Sequence, residues 1–127
     1  MAFPDRSEVA DVLDLVAQQA RAYLSEVDER PALPADMDRA GESFEASLPE
    51  RGEGALEVLR QLYEQGVDAT ISSAGPRTYH FVIGGATPAS LGADLLTSVL
   101  DQPAYTWVSS PLGVRLELLS LSWLKDL

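Results

Sequence analysis

Cysteine is absent from this chain, lysine occurs once, at Lys125, and histidine once, at His80. Without cysteine there is no disulfide, no thiolate nucleophile and no sulfur-ligated metal, a composition that fits the cytoplasm without requiring it. A single histidine has no second ligand at helical spacing, so a metal site lacks its start. No G-x-S-x-G elbow surrounds Ser109 or Ser110, which leaves His80 without a triad. Basic clusters are missing as well: 9 Lys and Arg stand against 20 Asp and Glu, net −11. That balance argues against nucleic acid and anionic membrane as partners. No stretch approaches the roughly 18 apolar residues of a membrane span. The opening MAFPDRSEV lacks the basic start and apolar run of a signal peptide, and a cytoplasmic protein is expected.

What the chain does contain is helical periodicity. Apolar residues recur at Val9, Val12, Leu13, Val16, Ala20, Tyr23, Leu24 and Val27, the spacing of one helix face, with Asp5 and Glu8 spaced as a capping box ahead of them. Pro31 and Pro34 end this helix. A short helix is allowed from Asp36 to Phe44, weakened by Gly41. Ala55 to Gln65 is the next, with Gly66 placed as a left-handed terminator and Val67 to Ser73 extended beyond it. Pro88 to Leu100 is helical behind an N-cap at Thr87, and Asp101-Gln102-Pro103 breaks it. Ser110-Pro111 starts a last helix on which Leu112, Leu116, Leu118, Leu119, Leu121, Trp123, Leu124 and Leu127 wrap much of the circumference, so it is read as buried from several sides. The fold class is mainly α, with a loop-rich middle.

Charge divides the chain in two. Residues 1–70 hold 16 acidic and 6 basic side chains and residues 71–127 hold 4 and 3, so the first part reads as a solvated face and the second as material to be covered. Between them lies SAGPRTYHFVIGGATP. Tyr79 to Ile83 is aromatic and β-branched, read as alternating between two faces, and stops at Gly84-Gly85. A loop clamped between two helical regions is a place for ligand contacts. The alternative is that Gly84-Gly85 is only a turn.

The order Gly75-Pro76-Arg77-Thr78-Tyr79-His80-Phe81, Gly84-Gly85-Ala86-Thr87-Pro88, Ala93-Asp94, Trp107-Val108-Ser109-Ser110-Pro111, Leu116-Glu117 and Trp123-Leu124 resembles the N-terminal part of the group II pyridoxal-phosphate-dependent amino-acid decarboxylases. That family includes the aromatic L-amino acid, tyrosine, histidine and glutamate decarboxylases. Tyr23-Leu24, Glu29-Arg30-Pro31, Pro34 and Leu48-Pro49-Glu50 fit upstream, so the resemblance covers nearly the whole chain.

The resemblance implies the start of a fold type I pyridoxal-phosphate enzyme, incomplete on its own. Residues 1–70 would be a helical dimerisation segment, 71–87 a loop walling the substrate, and 88–127 the first helices of the cofactor-binding large domain. It implies substrate contacts at Val82, Ile83 and Gly84, and, in the pocket of the neighbouring subunit, at Tyr105 with Pro103 two residues earlier. Tyr105 and Trp107 read equally well as core aromatics. The family's Schiff-base lysine, its acid at the ring nitrogen and its stacked histidine fall beyond Leu127, and Lys125 does not match the lysine motif. Pyridoxal phosphate would therefore be held by a lysine-bearing remainder in a homodimer or higher assembly, acting on an amino acid, and this chain alone would be inactive with no catalytic residue.

Two departures stand out. Ile83 and Gly84 replace a proline and a threonine common in the aromatic-amino-acid enzymes, and Arg115 stands where an acidic residue usually precedes Leu-Glu. The first bears on which amino acid is bound. The alternative reading is a non-catalytic helical interaction module that keeps the dimerisation surface without the chemistry. A stand-alone small enzyme lacks any nucleophile and base at workable spacing.

Overall fold

The apolar stripe from Val9 onward does form a helix, α1, Val9–Glu26. Its N-cap is Glu8, whose side chain makes no capping bond. The helix therefore starts after Glu8 and not at Asp5; Asp5, and with it the capping box expected from Asp5 and Glu8, lies outside the described residues. The computed structural model describes residues 6–79, 81–103 and 105–127. Beyond α1 the chain curls tightly, with the amides of Glu29 and Arg30 both donating to the Glu26 carbonyl at 2.9 and 3.1 Å.

Asp36 to Phe44 does not become a helix of its own. The Asp36 carboxylate accepts the amides of Asp38 and Arg39 at 3.1 and 3.3 Å, the local bonding by which Asp competes with helix. Gly41 then takes φ +82, and only a 3-10 turn, Glu42–Phe44, follows. Helix α2 is Ala55–Gly66. Gly66 corrects the reading of it as a left-handed terminator: its φ is −100 and ψ −27. The backbone continues right-handed into a 3-10 turn, Val67–Ala69, and becomes extended only at Thr70. A Cβ at 66 would lie 3.3 Å from the Phe44 ring, a close fit that the ring would meet by shifting a few tenths of an ångström.

Helices α1 and α2 pack together, joined by Gln19 Nε2 donating to the Leu59 carbonyl at 3.4 Å. Val16, Ala20, Tyr23, Leu59, Leu62 and Tyr63 line an open groove of about 540 Å3 beside that contact. They belong to the first of two units, Met1–Gly85; the second is Ala86–Leu127.

In the second unit the capping chemistry behaves as the sequence predicts. Helix α3, Pro88–Leu100, opens on a reciprocal box: the Ser90 amide donates to Thr87 Oγ1, and the Thr87 amide to Ser90 Oγ. Asp101, at φ 46, ends it. Helix α4, Pro111–Lys125, is capped by Ser110, whose Oγ accepts the Gly113 amide at 3.2 Å.

Burial is where the chain departs from a self-sufficient domain. Among the described residues only one hydrophobic side chain, Val27, counts as core. The apolar pattern of the last helix predicts burial on several sides, yet neither α3 nor α4 buries a residue. The accessible surface is 10796 Å2. Compact bodies of 85 and 42 residues that never touched would together expose only about 7,900 Å2. The excess, roughly 2,900 Å2, exceeds the ~800 Å2 that one partner contributes to a standard interface. The apolar pattern therefore builds helices without supplying what covers them.

The described residues hold helices and turns and no strand. No helix among them is long and apolar enough to cross a membrane.

Candidate functional site

The loop after the 3-10 turn Val67–Ala69 is built on the residues that follow α1. The Ser72 amide donates to the Ala32 carbonyl at 3.2 Å. Ser72 and Thr78 are buried, and Thr78 Oγ1 donates to the Ser72 carbonyl at 2.9 Å. The Gly75 amide bonds the same carbonyl at 2.9 Å, closing a tight turn. A Cβ on Gly75 would meet the Val27 carbonyl oxygen at 2.8 Å, so glycine here is a steric requirement. Buried polar groups satisfied in this way fix the base of the loop.

Two arginines fasten the same region. Arg30 has its guanidinium 5.3 Å from the Tyr23 ring centroid, pairs with Asp68, lies 3.9 Å from Glu26 and donates to the Val67 carbonyl at 3.3 Å. Its side chain is only 17% exposed, and its buried Nε–H meets no acceptor among the described residues. Arg77 donates to the Arg30 carbonyl at 3.3 Å and to Glu29 at 3.1 Å.

From this base the tip projects. Tyr79 is 89% exposed, Phe81 81%, and Val82 fully. The alternating extended run expected at Tyr79 to Ile83 is corrected by the backbone: Phe81 and Val82 take φ 57 and 59. Two successive left-handed residues cannot alternate as a strand, and for a β-branched valine that conformation is an outlier. Such strain costs about 1–3 kcal/mol per residue and clusters at ligand clamps. His80, left by the sequence without a triad or a second metal ligand, lies outside the described residues.

Ile83 and Gly84 line a shallow hollow of about 320 Å3 with Tyr79, Asp28, Ser73 and Thr78; Val82 is not among its lining. Pro103 and Tyr105 belong to the other unit. There Ser109 Oγ donates to the Pro103 carbonyl at 2.8 Å, Tyr105 is 82% exposed, and Arg115 stacks on Trp107 at 4.9 Å. Tyr105 is thus a surface aromatic in this chain, not a core one.

The residues present do not fit pyridoxal phosphate by themselves. The one amine-bearing side chain, Lys125, sits exposed at the end of α4, and no Lys or Arg lines the hollow beside Ile83. Nor does any group of three or more His, Asp or Glu among the described residues form a metal cluster. Sequence reading missed Arg30, Gly75, Ser72 and Thr78 as the loop's supports. Their one advance signal was Glu29-Arg30-Pro31 and Gly75-Pro76-Arg77 standing as two Arg-bearing motifs around one loop.

No protein-family model matches the chain, and no solved structure does. It is 24% identical to tryptophan decarboxylase 1 of Oryza sativa subsp. japonica over 123 residues, 96% of this chain and 23% of that protein. It is 33% identical to the phenylalanine–tRNA ligase alpha subunit of Nitrosospira multiformis over 86 residues, 66% of this chain and 24% of that protein. The chain spans about a quarter of the length of the curated relatives it matches. The comparisons show distant similarity to a decarboxylase over nearly all of the chain and to a ligase subunit over two thirds of it.

Proposed function

We propose that this chain is the N-terminal part, as subunit or fragment, of a pyridoxal-phosphate-dependent L-amino-acid decarboxylase of fold type I. The observation that carries this reading is the similarity to a tryptophan decarboxylase across 96% of the chain. Two features of the fold agree with it: a strained apolar loop tip on a fixed base, and helices α3 and α4 with apolar faces awaiting cover.

In this reading the chain supplies dimer contacts through α1 and α2 and one wall of the amino-acid pocket through Val82, Ile83 and Gly84. Tyr105 and Pro103 reach the pocket of the neighbouring subunit. The cofactor, which withdraws electrons from the substrate when bound, belongs to the lysine-bearing remainder. The chain's own contribution is shape: an apolar surface that excludes water and orients the amino-acid side chain.

The ligase similarity is a second relationship over a shorter stretch, 66% of the chain against 96% for the decarboxylase. A non-catalytic helical module would keep the same exposed helices and lack the lysine-bearing partner. The test is carbon dioxide release from L-tryptophan and L-tyrosine with added pyridoxal phosphate. The isolated chain is expected to release none, while a native preparation containing the remainder does. Turnover by the isolated chain, or none by the native preparation, overturns the reading.

A further inference from the structure

We propose that Arg30 is the positioning residue of the substrate-wall loop, an inference that rests on the loop's proposed role at the amino-acid pocket. One side chain and one carbonyl of this residue hold the loop from both directions. On the incoming side, the guanidinium bonds the Val67 carbonyl and Asp68, in the turn from which the loop departs. Toward the tip, the Arg30 carbonyl accepts a bond from Arg77, two residues before Tyr79. Stacking on Tyr23 and the approach to Glu26 anchor this residue to α1.

The geometry calls for arginine. Its Nη2 donates to both the Val67 carbonyl and the Asp68 carboxylate while the flat guanidinium lies over the Tyr23 ring; lysine has the charge but not the plane. Arg77 alone does not suffice. It is half exposed and its partner Glu29 is 87% exposed, and surface pairs of that kind contribute little. The strained backbone at Phe81 and Val82 needs a base that does not yield. Arg30 thus sets where Val82, Ile83 and Gly84 stand without touching substrate.

Limited proteolysis with chymotrypsin tests the clamp on the 127-residue chain, without cofactor or partner. Arg30→Lys is expected to speed cleavage at Tyr79 and Phe81 about tenfold, with cleavage at Tyr63 on α2 and the helical circular dichroism unchanged, since local opening governs the rate. Equal rates at Tyr79 and Phe81 overturn the proposal. If Arg30→Lys unfolds the whole unit, Asp68→Asn, which takes away the guanidinium's carboxylate partner and leaves Arg30 in place, decides: faster cleavage confined to the tip upholds the clamp, and no change overturns it. In the native assembly, Arg30→Lys is expected to raise KM for the amino acid several-fold with kcat nearly constant. Faster cleavage with KM unmoved overturns the positioning role. Absence of any cofactor-bearing assembly overturns the decarboxylase reading and leaves the cleavage result to judge the clamp.

Discussion

The carbonyl oxygen of Val27 occupies the space into which residue 75 would project a side chain, 2.8 Å from a Cβ built there. Val27 is also the one core hydrophobic residue among those described, so the loop base closes directly on the end of α1. Gly75→Ala forces backbone to move and is expected to destabilise the first unit by about 1–3 kcal/mol, read as a lowered denaturant midpoint. Gly84 makes the contrast: nothing lies within 4 Å of a Cβ there and its φ is not positive. Gly84→Ala should leave stability unchanged while narrowing the hollow it lines, so that affinity for the amino acid falls in the native assembly. Equal stability losses at both positions would refute the assignment of roles.

Helix α2 carries a charge arrangement with a defined pH response. Gln61 donates to Glu57 at 2.9 Å and Arg60 at 2.7 Å, and these bonds, the Gln61 one first, hold the Glu57 carboxyl below the usual glutamate value. A group whose pKa is lower folded than unfolded stabilises the fold above its unfolded value and ceases to do so as pH falls through the folded one. Stability of α2 should therefore drop below the ordinary glutamate range, and Glu57→Gln should flatten that drop. An unaltered acid profile in Glu57→Gln would remove Glu57 from the account.

Exposed apolar surface makes self-association the expected state of the isolated chain. Leu116, Leu119, Trp123 and Leu124 on α4 are 43–65% exposed, and contiguous apolar patches of more than a few hundred Å2 are uncommon on monomers. Sedimentation should show oligomers or aggregates that grow with concentration. A clean monomer at high concentration would contradict the claim that these helices need a partner.

Tyr105 is the cleanest probe of the second unit, because its 82% exposure leaves it little structural work here. In the native assembly Tyr105→Ala is expected to raise KM about tenfold, near 1.4 kcal/mol, with cofactor retained. Loss of cofactor instead would show that Tyr105 belongs to the cofactor site.

Helix positions were legible because local chemistry dictates them. Thr87-Pro88 and Ser110-Pro111 each pair a side-chain cap with a first-turn proline, and both helices start where those residues stand. The failures share a cause: the deciding contact is distant in sequence or lies between backbone atoms. Gly66 looked like a left-handed stop, yet its backbone stays right-handed and the ring packed closest to it, Phe44, is distant in sequence. Tyr79 to Ile83 looked extended, and left-handed backbone at Phe81 and Val82 cannot be read from side-chain pattern. In the candidate site, the apolar tip could be named from sequence, whereas its supports on Arg30 and Val27 become visible only when residues 27 to 32 meet residues 67 to 78. Periodicity on α4 specified an apolar face but not its partner, which periodicity never does.

The central claim is that this chain works as one part of a larger pyridoxal-phosphate enzyme. Its most direct test is intact mass together with near-ultraviolet and visible absorbance of the native purified material. The account predicts a heavier lysine-bearing polypeptide accompanying the 13.7 kDa chain, with the absorbance of protein-bound pyridoxal phosphate. A lone 13.7 kDa species without that absorbance would contradict it and leave a separated fragment or a non-catalytic helical module as the readings that stand.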